Sequence, residues 1–99
     1  MDKQKLDLVM LKVNSIRRAL KDAANDRKAV HVSVQMAENF NGLLAATAEL
    51  VPHLQSELPA KIMTATGPFI RMGSTTLTYL ELEAYLNQLT DILDYAQKQ

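Results

Sequence analysis

Residues 26–51 carry the pattern that most constrains this chain. Val32, Met36, Phe40, Leu43, Thr47 and Leu50 follow one another at intervals of three or four, the stripe of a helix that buries one side. A neighbouring row of Val30, Val34, Ala37, Leu44, Ala48 and Val51 widens that face. So broad an apolar surface cannot stay in water, and the rest of the chain must cover it.

Two other segments have the matching periodicity. Leu6, Val9, Val13, Ile16, Leu20 and Ala23 mark a helix over residues 2–24, with Arg17, Arg18 and Lys21 placed to offset its C-terminal dipole. Tyr79, Leu82, Leu86, Leu89, Leu93 and Ala96 mark a last helix, capped by Ser74 or Thr75 and running to about residue 97. Between them Pro52 ends the long helix. Ser56 then reads as the N-cap of a short third helix over residues 57–66, with Leu58, Ile62 and Ala65 as its apolar face and Gly67-Pro68 as its stop.

Two points of the pattern admit a second reading. Asn25-Asp26 is the only punctuation between the first two helices; without a break there, residues 2–51 would form one rod of roughly 75 Å that needs a partner chain. Residues 29–36 also alternate apolar and polar like a strand. The helical phase set by Val32 and Met36 and the lack of an evident partner strand favour helix. The expected architecture is therefore all-α: a single domain over residues 1–99, an antiparallel four-helix bundle of three long helices and one short one, completed by dimerisation.

Composition narrows the function. Eleven basic and eleven acidic residues cancel, so no global charge drives the chain onto nucleic acid or anionic lipid. The chain has no Cys, which removes disulfides, thiolate nucleophiles and Cys-based zinc sites. Neither a signal-peptide core nor a membrane span is present in the pattern, and the cytoplasm is the default location.

No constellation points to catalysis, a metal or a cofactor. His31 falls on the polar side of the second helix, in line with Gln35 and Glu38, and reads as a solvated residue; zinc would need three or four ligands. His53 has Glu49 and Glu57 four residues to either side, but Pro52 breaks the helix on which they would converge. The hydroxyls Ser74, Thr75, Thr76 and Thr78 have no neighbouring base and read as capping residues. Nucleotide-binding and zinc-protease motifs are absent.

What remains is surface. Leu8 and Leu11 lie beside the main stripe of the first helix, and Met63, Phe69, Ile70 and Met72 gather apolar atoms around a loop. Together these six are the candidate partner interface, since Met-rich surfaces adapt to varied partners. Arg17, Arg18, Lys21, Arg27 and Lys28 form a basic region, and Arg71 sits in a loop with Gly67 and Gly73 ahead of a helix. These are the candidate contacts for nucleic acid or another anion. The last helix, with Glu81, Glu83, Asp91 and Asp94, offers a complement to that basic region within or between molecules.

Phe40-Asn41-Gly42, with Tyr79 and Glu83, resembles the Trp-x-Gly and Tyr-x-x-x-acid signals of secreted helical-hairpin proteins of type VII systems. The resemblance covers five residues. Phe stands in place of Trp, and the tripeptide lies inside the long helix rather than between two helices, so no role is carried over. The expectation is a non-enzymatic protein–protein interaction module that self-associates as a dimer. Binding of nucleic acid or an anionic ligand through the basic region is the alternative.

Overall fold

A computed structural model describes residues 3–22 and 30–98. Its elements are α1 (Lys3–Asp22), β1 (His31–Ser33), α2 (Val34–Leu50), β2 (Ser74–Thr78) and α3 (Tyr79–Gln97), with 3-10 turns at Pro52–Glu57 and Ile70–Met72. The chain is mostly helical. No helix among the described residues is long and apolar enough to cross a membrane.

The three stripes read from the sequence meet in one core. Leu6, Val9, Val13 and Leu20 of α1 pack with Ala37, Phe40 and Leu43 of α2 and with Leu82, Leu86, Leu89 and Leu93 of α3. Gln97 Nε2 donates to Asp7 Oδ1 (3.4 Å), joining the end of α3 to the start of α1. The starts of α2 and α3 both leave the small sheet. It follows that α1 runs antiparallel to α3; the rings of Phe40 and Tyr85, each six residues into its helix, lie 6.1 Å apart, so α2 leaves the sheet in the same sense as α3 and also runs against α1.

Residues 26–51 do not form one helix. His31–Ser33 is a strand paired antiparallel with Ser74–Thr78, His31 opposite Thr78 and Ser33 opposite Ser74, with an irregularity between. The partner strand is the hydroxyl cluster read as capping residues. Its β-branched threonines suit an extended backbone. Thr75 Oγ1, fully buried, donates to the Val32 carbonyl (2.9 Å) and accepts from the Leu77 amide (3.3 Å). This strand also excludes a continuous rod through residues 2–51; the Asn25-Asp26 turn itself lies outside the described residues.

Both helices that leave the sheet are capped by its last residues. Ser33 Oγ accepts from the Met36 amide (3.2 Å). Thr78 and Glu81 form a reciprocal capping box, so α3 begins at Tyr79 rather than at Ser74 or Thr75.

The short third helix expected over residues 57–66 does not form. Pro52–Glu57 is a 3-10 turn, Ser56 caps nothing, and the chain that follows is irregular as far as Thr66. Three backbone groups of this stretch are taken up by side chains of α2 and α3. The Asn41 amide donates to the Ile62 carbonyl and its oxygen accepts from the Ile62 N–H, both at 2.9 Å. Gln88 Nε2 donates to the Glu57 carbonyl (3.1 Å). With only Pro59 and Ile62 buried in this stretch, the segment lacks the apolar face that would stabilise a short helix.

Candidate protein-docking groove

Between α1 and α2 runs an open groove of about 1010 Å³, floored by Val9, Ile16, Leu43, Ala46 and Leu50. The rims differ in charge. Lys5, Leu8 and Lys12 stand on the α1 wall, while Glu38 and Glu49 stand on the α2 wall, and all five are exposed.

Spacing puts each set on one face. Lys5 and Lys12 are two helical turns apart, and Glu38, Gly42 and Glu49 repeat at four and seven residues. Gly42 lies at mid-helix and a Cβ added there would meet nothing within 4 Å, so α2 presents bare backbone to the groove.

The residues singled out in the sequence are divided by the fold. Leu8 is 49 % exposed and lines the groove; Leu11, 59 % exposed, lies on the same helix outside it. Met63 and Met72 are exposed too. Phe69 and Ile70 are half-buried beside the sheet, and none of these four lines the groove.

His31 is not a solvated residue of a helix surface. It sits on β1, half-buried, its ring 4.7 Å from that of Phe69, and its Nδ1 is buried without a hydrogen-bond partner among the described residues. His53 is exposed on the 3-10 turn after α2. Among the described residues no group of three or more His, Asp or Glu side chains could hold a metal ion.

Three residues of the basic region lie on α1. Arg17 donates to Asn14 Oδ1 and Arg18 to Ser15 Oγ, each at 3.4 Å within α1, and Lys21 is exposed on its last turn. Arg27 and Lys28 lie outside the described residues. Arg71 is exposed on the turn before β2, and Gly73, with a left-handed φ of 78°, closes that turn. The loop does not lead directly into a helix. β2 intervenes, and the N-terminus of α3 is occupied by the Glu81 side chain and by the Tyr79 amide's bond to the Val30 carbonyl. A free helix end for a phosphate is therefore not assembled beside Arg71.

Sequence reasoning found Leu8 by its position off the stripe but missed Lys5, Lys12, Glu38, Gly42 and Glu49. The available signal was a glycine inside a strong helix, flanked at helical spacing by two glutamates.

No protein-family model, curated protein or solved structure matches this chain.

Proposed function

We propose that the chain is a non-enzymatic protein–protein interaction module of adaptor or scaffold type that associates with copies of itself through the α1–α2 face. The observation that carries this reading is the open groove with an apolar floor and Leu8 on its rim. Contiguous apolar surface on a small domain is costly to leave in water and marks a site of association. Two helices flanking an apolar trough accept a further helical surface, as grooves that bind the apolar face of an amphipathic helix do. Docking two copies there supplies the helices that one copy lacks, so an antiparallel four-helix arrangement is completed between molecules.

Leu8 provides the test, because its removal leaves the buried stripe of α1 untouched. Leu8→Asp is expected to weaken self-association about tenfold or more, the equivalent of about 1.4 kcal/mol, with helix content unchanged by circular dichroism. Unchanged association of the variant, measured by sedimentation, would remove the α1–α2 face from the proposal.

A further inference from the structure

The two walls of the groove carry opposite charge, and that fixes how a second copy can sit. Lys5 and Lys12 line the α1 wall; Glu38 and Glu49 line the α2 wall. A second copy laid face to face can be related by a two-fold axis along the groove or across it. An axis across the groove sets α1 on α1 and α2 on α2, lysine against lysine and glutamate against glutamate. An axis along the groove sets each α1 over the partner's α2, so that unlike charges meet twice.

The register agrees with the second arrangement. Because α1 and α2 are antiparallel, Lys5 stands at the end of the groove that holds Glu49 and Leu50, and Ile16 at the end that holds Glu38. An axis along the groove preserves height, placing Lys5 level with the partner's Glu49. Seven residues of α1 rise about 10 Å and eleven of α2 about 16 Å. Lys12 therefore falls about one helical turn short of the partner's Glu38, a gap that a lysine side chain covers.

Gly42 is an independent pointer. Helix interiors disfavour glycine, and nothing among the described residues requires one, since a Cβ at Gly42 would meet no atom of theirs within 4 Å. A partner helix packed directly on the α2 backbone would use it, since a residue without a side chain lets two backbones approach closely.

Resting on the self-association reading above, we infer that the occupant of the groove is a second copy of this chain. It is related by a two-fold axis along the groove, with Lys5 and Lys12 of each copy facing the partner's Glu49 and the partner's Glu38 and with closest approach at Gly42. The interface is isologous and closed, giving a dimer rather than a filament.

Charge exchange tests the register. Lys12→Glu alone and Glu38→Lys alone each place like charges opposite one another at two symmetric positions. Each is expected to raise the dimer Kd about tenfold or more at low salt. An equimolar mixture of the two variants restores every unlike pair. It is expected to form a mixed dimer with a Kd within a few-fold of the wild type, about the level set by the unchanged apolar floor. Gly42→Leu is expected to stay folded, with a thermal midpoint no lower than the wild type, and to lose association about tenfold or more. A dimeric wild type whose association is indifferent to charge reversal, or whose variants do not recover on mixing, overturns this arrangement while leaving self-association intact. So does a Gly42→Leu protein that dimerises as tightly as the wild type. A wild type that is monomeric at every concentration overturns the self-association reading, and the arrangement with it.

Discussion

Replacing Phe40 by Ala is expected to destabilise the chain by about 3–5 kcal/mol, the range for an aromatic side chain removed from a packed core. Phe40 is fully buried at the centre of α2. Its ring lies 6.1 Å from that of Tyr85, tilted by 41°, a favourable geometry for an aromatic pair. Among the described residues no other side chain of that volume is as completely buried. The surrounding leucines of α3 belong to a rigid helix, so the site cannot collapse fully around the missing ring. For a domain of this length about 1 kcal/mol corresponds to 4–8 °C, so the thermal midpoint should fall by about 12 °C or more. A midpoint in Phe40→Ala equal to that of the wild type would show that α2 does not pack as described.

The second large effect is expected next door, at Asn41, and acts on backbone rather than on core volume. Its side chain makes two hydrogen bonds to Ile62 at 2.9 Å and holds the irregular segment after the 3-10 turn against α2. Asn41→Leu leaves the Ile62 N–H and C=O without partners, at a cost of about 2–3 kcal/mol for the two groups. Asn41→Asp keeps the acceptor for the N–H but sets a carboxylate oxygen against the Ile62 carbonyl, and should fall between. Amide hydrogen exchange separates this from a general loss of stability. The Ile62 amide should lose protection far more than the amides of α1 and α3. Equal loss across the whole chain would contradict a local clamp.

The three helical stripes were legible in the sequence because each repeats its signal five or six times. Leu82, Leu86, Leu89, Leu93 and Ala96 are all buried as the spacing predicts. The start of α2 was not legible, and Val32 is the reason. Its side chain points inward both as a strand residue and as the first residue of the helical phase, so the interval from Val32 to Met36 looks helical by coincidence. The strand reading required a partner about 40 residues away, a long-range pairing that local pattern cannot reveal. The missing third helix has the same cause: Asn41 and Gln88 satisfy its backbone from distant segments. The groove was half legible. Leu8 stood out, but Lys12 and Glu38 become opposite walls of one trough only after α1 and α2 are laid side by side.

The central claim is that two copies of this chain share the α1–α2 face. Absolute mass by light scattering after gel filtration, across concentrations from micromolar to several hundred micromolar, tests it most directly. The expected result is a concentration-dependent rise to twice the 11.0 kDa chain mass and no further, as a closed two-fold interface requires. A mass of one chain throughout that range would contradict self-association, and growth beyond two chains would contradict a closed pair.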